Sequence, residues 1–509
     1  MKTKYFLLGL AALGFAACSE PIDDSTQINP IGGGTKGYMA IDLKSSDDVV
    51  RAATDTYEDG TADEQAISRA AFFFFDQKGN PFNVNSSGNY VNVTVADNGG
   101  EAEPNIESMT NPVLVVEKYK GQFPSSVVAV VNYEATSSQS LSALKGTLKG
   151  KGHTDGVKFI MTNSVYKDGA GKEVDATPLT IDHFHTTSDK AMEKPVTIYV
   201  ERMTAKVSVV AGDEAFNTGV KLNDQDVYAK IVGWDLVSNQ TESYFVKTID
   251  PSWTDGDLGF TWNDAPYYRS YWTDKCVDAQ VSNAFAYANL KNTDATIEYV
   301  GEQVGANNTH RTKYIVAAEL QKANGDALEI AQWYGTNYAG EESLLKAVVA
   351  TLQNKFMHKN VDTYNSIEHT QLQCVAGMTG AESYEVKFQL ADNADATDWY
   401  SFDGSTYTDI DINAELAKLE PAKVWKDGMT YYYADVKHLG KADSAGEFGI
   451  VRNHSYKVNI VDVQGWGTPV YDPNQNVEKP VKPTDKETYI AAKINVLSWR
   501  VVSNNVTLD

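Results

Sequence analysis

The sequence predicts an all-β chain with a few inserted helices, folded as two tandem β-sandwich domains. Three observations predict it. Short runs rich in β-branched and aromatic residues recur along the chain, bounded by Gly, Asn, Asp and Pro. At 509 residues the chain is too long for one ordinary domain. With 11% aromatic and 22% charged residues, the composition is that of a globular protein.

The chain opens on an export signal, residues 1–18. Lys2 and Lys4 precede a short apolar run, residues 5–17, too short to span a bilayer. The run ends at Phe15-Ala16-Ala17-Cys18, which resembles a lipoprotein signal peptidase site with Cys18 as the lipidated residue. Phe15 departs from the usual aliphatic residue, and ordinary secretion past an incidental cysteine is the alternative. Glu20, Asp23 and Asp24 resemble the surface-export signal of lipoproteins from Bacteroides-like bacteria. The formal net charge of -24 argues against nucleic acid and against broad adhesion to anionic lipid. Besides Cys18 the chain has Cys276 and Cys374, which could pair or stay as two thiols.

Residues 19–51 read as a tether followed by a removable strand. Gly32-Gly33-Gly34-Thr35-Lys36-Gly37 lacks the spacing of a phosphate loop and reads as a spacer. Residues 38–44 form a strand with Met39, Ile41 and Leu43 on one face. An acidic stretch without periodicity follows, with the single basic residue Arg51 before Ala52 and Ala53. An exposed loop with one arginine admits an arginine-specific protease. It is equally a place for an incidental surface arginine.

The N-terminal sandwich spans residues 52–212. Its strands are expected at 69–76, 90–95, 113–118, 127–131, 159–161, 196–200 and 205–210, with a turn at Gly79-Asn80 and a short helix over 140–148. The C-terminal sandwich spans 213–470, with strands at 227–236, 243–249, 297–300, 313–320, 384–390, 429–436 and 454–461. A helix is expected over 341–356, where Leu344, Leu345, Val348, Val349 and Leu352 fall at helical spacing and Glu341 and Glu342 favour its N-terminus. A shorter one is expected over 413–419. Residues 471–488, with Pro473, Pro480 and Pro483, form an extended linker. Residues 489–509 close the chain as two short strands joined by a kink, since the apolar phase of Ile490, Ile494 and Val496 slips at Leu497, Trp499 and Val501. Such a tail folds back into its own domain or reaches into a neighbour.

No catalytic constellation emerges. His183 and His185 would share a strand face without completing a metal site. Asp392, Asp395 and Asp398 lack the pattern of a calcium loop. There is no Gly-x-Ser-x-Gly elbow, and a glycosidase carboxylate pair is assembled in space without a sequence signature. The 9 Trp and 28 Tyr could include a glycan-stacking platform, though core and sheet positions account for most such residues.

Several motifs then carry a resemblance to the fimbrillins, the type V pilus subunits of Bacteroides-like and Porphyromonas-like bacteria. They are Phe159-Ile160-Met161-Thr162-Asn163-Ser164-Val165-Tyr166, Val200-Glu201-Arg202-Met203-Thr204-Ala205-Lys206-Val207, Arg269-Ser270-Tyr271-Trp272, Val451-Arg452-Asn453-His454-Ser455-Tyr456-Lys457-Val458, Gly465-Trp466-Gly467-Thr468-Pro469-Val470 and the tail Ala492-Lys493-Ile494-Asn495-Val496-Leu497-Ser498-Trp499. The chain looks closest to the stalk subunit of the short (minor) fimbriae. The resemblance implies transthyretin-like sandwiches, a structural role in adhesion without enzymatic activity or cofactors, and export to the outer membrane through lipid. It implies cleavage by an arginine-specific protease, here between Arg51 and Ala52, with Arg69 as the runner-up. The strand carrying Met39, Ile41 and Leu43 is then displaced. Ile490, Ile494, Val496, Leu497, Trp499 and Val501 of another copy fill its groove by donor-strand exchange. The implied partners are further copies of the chain, head to tail, with accessory anchor and tip fimbrillins. The alternatives are a tip or anchor fimbrillin, a monomeric glycan-binding surface lipoprotein and, more distantly, a hydrolase.

Overall fold

The computed structural model describes residues 36–45, 57–58, 60–94, 109–110, 112–153, 158–167, 172–237, 242–249, 285–303, 311–379, 381–438, 447–474, 476–477, 490–491 and 499–508. The expected sites Cys18, Arg51, Ala52, Ile494, Val496 and Leu497 lie outside these residues, as do Cys276 and the motif at 269–272.

The N-terminal half is built from β1 (Lys36–Ser45), β2 (Tyr57–Glu58), α1 (Ala62–Gln65), β3 (Arg69–Phe75), β4 (Tyr90–Thr94), β5 (Met109–Thr110), β6 (Val113–Glu117) and β7 (Ser126–Val131). The helix α2 (Leu141–Gly146), β8 (Met161–Asn163) and β9 (Val196–Arg202) follow. The main sheet runs β4-β3-β7-β8-β9-β1-β5, and β6 pairs with the first half of β1.

The run Ala70 to Phe75 in β3 explains why this half is so apolar on two sides. Successive strand residues face opposite ways. Ala70, Phe72 and Phe74 therefore enter the sandwich core with Met39, Ile41, Leu114, Val116 and Ile198. Ala71, Phe73 and Phe75 enter a second core with Met203, Phe245, Val246, Ile249 and Val451. Phe245, Val246, Ile249 and Val451 lie beyond residue 204, while Val128, Val130, Leu144 and Val165 of the first domain share the same core, so β3 is buried in its own domain and against segments that follow it into the second.

The C-terminal half comprises β10 (Ala205–Val210), β11 (Phe216–Leu222), β12 (Gln225–Val237), β13 (Glu298–Val300), β14 (Lys313–Gln321), α3 (Glu341–Leu352), β15 (Met429–Asp435), β16 (His454–Val463), β17 (Ile490–Ala491) and β18 (Trp499–Leu508). One sheet runs β13-β10-β16-β18-β2 and the other β11-β12-β14-β15. Val207, Val209, Tyr456 and Val458 from the first meet Val227, Trp234, Leu236, Val316 and Tyr432 from the second, which makes a sandwich.

Two expectations are corrected here. The strand at 205–210 was expected to close the first domain near residue 212. Instead β10 lies parallel to β16 and antiparallel to β13, inside the second sandwich. The chain crosses between domains at Met203 and Thr204, where Thr204 donates its hydroxyl to the carbonyl of Val300 at 2.7 Å. Strand-like segments on both sides, with no turn residue between them, hide the crossing. The helix expected to reach 356 stops at Leu352, because Asn354 turns to φ 62° and Phe356–Asn360 leaves as a strand.

Between β14 and β15 the second domain carries an insert with a core of its own. Leu344, Leu345, Val348 and Leu352 of α3 pack there with Trp333, Phe388, Trp399 and Leu416. Three small sheets surround it, one of them made of Phe356–Asn360, Thr363–Ser366, Trp399–Phe402 and Tyr407–Asp409.

Candidate functional site

The strand β1 is an interior strand. Residues 36–40 pair antiparallel with β6, and residues 41–45 pair parallel with β9. Near its far end Leu43 and Lys44 also pair with Thr110 and Met109. The backbone of Tyr38 exchanges two hydrogen bonds with His185, at 2.7 and 2.8 Å, and the N–H of Ile41 donates to Pro112 at 2.9 Å. Met39 and Ile41 are both 0% exposed. A single segment therefore supplies backbone partners to strands on two sides and side chains to the core they enclose. Among the expected strand residues, Leu43 stands opposite Ile198 in the register.

Immediately downstream the chain is held at the domain junction. Thr61 and Glu64 form a capping box on α1: the Glu64 N–H donates to Thr61 Oγ1 at 3.3 Å and the Thr61 N–H to Glu64 Oε2 at 2.8 Å. The same carboxylate accepts from Tyr299 at 2.7 Å and from Lys206 Nζ at 3.1 Å. Burial alone would push the Glu64 carboxyl up. The bonds from Tyr299 and Thr61 and the Lys206 charge more than offset this and hold it below its ordinary value. Arg202 Nε donates to the Glu64 carbonyl at 2.9 Å, and its Nη1 to Asn453 Oδ1 at 3.1 Å.

A second buried ion pair ties the halves together. Arg452, 0% exposed, donates from Nε to Glu302 Oε2 at 2.8 Å. Its Nη1 donates to Thr162 Oγ1 at 3.2 Å and to the Phe245 carbonyl at 3.1 Å, and its Nη2 to the Tyr244 carbonyl at 2.8 Å. Thr162 is in β8 of the first domain. Lys247 and Glu201, both fully buried, stand 3.4 Å apart nearby. The motifs around Arg202 and Arg452 thus meet in space and weld the two domains. Their roles were not read from the sequence, since their partners lie far along the chain; a buried charge beside apolar strand residues was the available signal.

The tail lies on its own chain. Arg500 to Val506 of β18 pair parallel with His454 to Ile460 of β16, and the pairing continues to Leu508 beyond a register shift. On its other edge β18 pairs with β2, Trp499 opposite Glu58 and Arg500 opposite Tyr57, and Ile490 of β17 stands opposite Leu508. Of the expected donor residues, Ile490, Trp499 and Val501 fall within these strands.

The other candidates resolve into structural roles. Among the described residues no group of His, Cys, Asp and Glu is arranged to hold a metal. His183 accepts from the Thr180 N–H at 3.0 Å in a helical turn, and His185 borders β1. Asp395 accepts from the N–H and hydroxyl of Thr397, at 2.9 and 2.7 Å, and Asp392 from Gln373 at 2.9 Å. Cys374 is buried in the insert, and burial, with Glu341 beside it, pushes its thiol well above the usual range. Among the described residues, an aromatic cluster sits on the four-stranded sheet in the insert. There Tyr364 stacks on Tyr407 with ring centres 3.7 Å apart, and Tyr407 on Phe402 at 4.7 Å. The rings spend faces on one another, which is poor geometry for sugar stacking. Among the described residues no helix is long and apolar enough to cross a membrane.

Residues 423–505 match the family model described as "Major fimbrial subunit protein type IV, Fimbrillin, C-terminal". That match, which begins in the strand ahead of β15 and runs through β16 into β18, places the C-terminal region of this chain in the fimbrillin family. A match to that family supports a structural role in a cell-surface fimbria and association with other fimbrial subunits. No curated protein matches the chain. Solved structures that overlap it include a fimbrial assembly protein from Parabacteroides distasonis, at 15% identity and TM-score 0.30 over 56% of this chain and 82% of that one. The tip fimbrial protein from Porphyromonas gingivalis, with a C-terminal truncation, overlaps at 11% identity and TM-score 0.25 over 70% of this chain and 99% of that one. Superpositions this loose transfer no residue from one chain to the other.

Proposed function

We propose that this chain is a stalk subunit of the fimbria, exported as a lipoprotein on Cys18, cut by an arginine-specific protease between Arg51 and Ala52, and polymerised head to tail by donor-strand exchange without enzymatic activity. The observation that carries the reading is the seat of β1. It is an interior strand at the start of the described chain, followed in the sequence by the acidic stretch with Arg51. Losing it would strip partners from β6 and β9 and uncover the core around Phe72 and Phe74. Met39 and Ile41 alone represent about 1.5–3 kcal/mol of burial each. Such a groove, with open strand edges, is a template for an incoming strand. A tail carrying Ile490, Ile494, Val496, Leu497, Trp499 and Val501 has the apolar side chains to fill it. Head-to-tail contacts of this kind do not close and so grow a fibre.

The test is digestion of the purified chain with an arginine-specific protease, followed by N-terminal sequencing and gel electrophoresis without boiling. The stalk reading expects a new N-terminus at Ala52 and a heat-sensitive ladder, and no ladder once residues 489–509 are deleted. A ladder that survives the deletion refutes the donor assignment. A chain that stays uncut and monomeric points to an anchor fimbrillin or a separate surface lipoprotein.

A further inference from the structure

The tail strand is covered on both edges, and one cover comes from the segment just past the expected cut. β18 lies between β16 and β2. β2 begins at Tyr57, six positions after Arg51 (57 − 51), and β1 ends at Ser45, six positions before it (51 − 45). From Thr61 onward the chain is anchored by Glu64 to Lys206 and Tyr299. β2 is thus a two-residue strip joined in the sequence to an anchored helix on one side and, through the residues around Arg51, to the seated β1 on the other. A strip that short has little hold of its own, because its two pairings leave most of its ordering to the flanking attachments.

We propose that β2 is a clasp on the chain's own tail, so that the single cut at Arg51 both frees β1 and loosens the tail strand for donation. This rests on the donor-strand reading above and adds to it a link between groove and donor within one subunit. With the chain intact, β2 is tethered at both ends and the outer edge of β18 is closed. With the chain cut at Arg51, β2 is tethered only through residues 59–61, its pairing with Trp499 and Arg500 frays, and β18 is left with β16 and the short β17. A subunit then becomes acceptor and donor in one event, and an uncut subunit adds its tail to a growing end more slowly.

The experiment mixes two forms of the chain. The acceptor is cut protein lacking residues 489–509, which has a groove and no tail. The donor is full-length chain in three versions: cut, uncut through Arg51→Ala, and uncut Arg51→Ala carrying Glu58→Pro or Tyr57→Pro to break the clasp. Heterodimer formation on unboiled gels, together with hydrogen exchange over residues 499–508, gives the readouts. The clasp expects the uncut donor to pair about tenfold more slowly than the cut one, the equivalent of one or two backbone hydrogen bonds. It also expects the proline variants to recover most of that rate without cleavage and exchange over 499–508 to rise in step. Equal rates for the cut and Arg51→Ala donors overturn the clasp, as does a proline variant as slow and as protected as its parent. If no donor pairs with the acceptor while exchange still rises on cutting, the clasp stands and the donor-strand reading falls. If cutting moves neither readout, both fall.

Discussion

Replacing Arg452 by Met tests whether the buried charges at the junction hold the domains together. Arg452 is 0% exposed and donates to Glu302, Thr162 and the carbonyls of Phe245 and Tyr244. A Met side chain fills a similar volume and supplies none of these donors. The Glu302 side chain, 2% exposed, would then be a buried carboxylate without the guanidinium. Removing one member of a buried pair costs about 3–5 kcal/mol, most of it the stranded charge. That is a large share of a typical stability of about 5–15 kcal/mol. Because Thr162 and Glu302 belong to different domains, the loss should also uncouple them. Equilibrium unfolding in urea, followed by tryptophan fluorescence, is expected to move to lower denaturant and to split into two transitions. The double variant Arg452→Met, Glu302→Leu replaces the whole pair by apolar groups and should recover most of the loss. A single variant within about 1 kcal/mol of the parent, or a double variant no better than the single, refutes the reasoning.

Three further outcomes follow from individual residues. Ile41→Ala should cost the uncut chain about 2–5 kcal/mol and leave the cut chain unchanged, seen as a melting shift before digestion only. Asp235 is pushed up to about 6, chiefly by burial and partly by Glu298, with the Leu236 N–H opposing. Its folded value lies above the ordinary one, so its contribution is present below pH about 4 and lost as pH rises through 6. Asp235→Asn should therefore stabilise the protein at pH 8 by about 1–2 kcal/mol, with the gain vanishing in melts near pH 4. Val361 sits at a hairpin tip with φ 56° and 81% exposure, a backbone region hostile to a β-branched residue. Val361→Gly should stabilise by about 0.5–1 kcal/mol in thermal melts, the relief of strain exceeding the added freedom of the unfolded chain.

The strands with strong periodicity were legible, and so was α3, whose Leu344, Leu345, Val348 and Leu352 are buried as their spacing implies. The insert around α3 was less so. Its outer strands, such as Thr363–Ser366 and Tyr407–Asp409, are polar and half exposed or exposed, so they carry little alternation to read. The domain boundary is not visible because 196–200 and 205–210 read alike as strands and no Gly, Pro, Asn or Asp between them marks a crossing at Met203. The junction network lay beyond sequence reasoning for a different reason. Glu64 meets Tyr299 and Arg452 meets Thr162 across hundreds of positions, and no spacing rule connects them. The seat of β1 was legible in part: alternation picked out Met39 and Ile41, and the fold places both in the core. That β2 lies against the tail had no signal, since two residues have no period.

The two-sided burial of β3 bears on how an emptied groove could stay open. An apolar groove that loses its strand tends to collapse, because its walls can bury one another. In β3 the even residues Phe72 and Phe74 line the core that β1 completes, while Phe73 and Phe75 are fixed in the junction core with Met203, Phe245 and Val451. When β1 departs, the even face is uncovered but the odd face keeps its partners, Val128, Val130 and Leu144 of its own domain and Phe245 and Val451 from beyond it. The strand then cannot slide or rotate into the gap without breaking that second core, so the groove keeps the spacing a donor needs. Phe73→Ala separates the two faces. It should destabilise the uncut chain by about 3–5 kcal/mol while leaving it folded, since β1 still braces the even face. After cutting, the variant should bind a synthetic peptide of residues 489–509 at least tenfold more weakly than the parent and expose more dye-binding apolar surface. Parent-like peptide binding by the cut variant, with the uncut form destabilised as expected, would show that the junction core does not hold the groove and that β6 and β9 keep it open unaided.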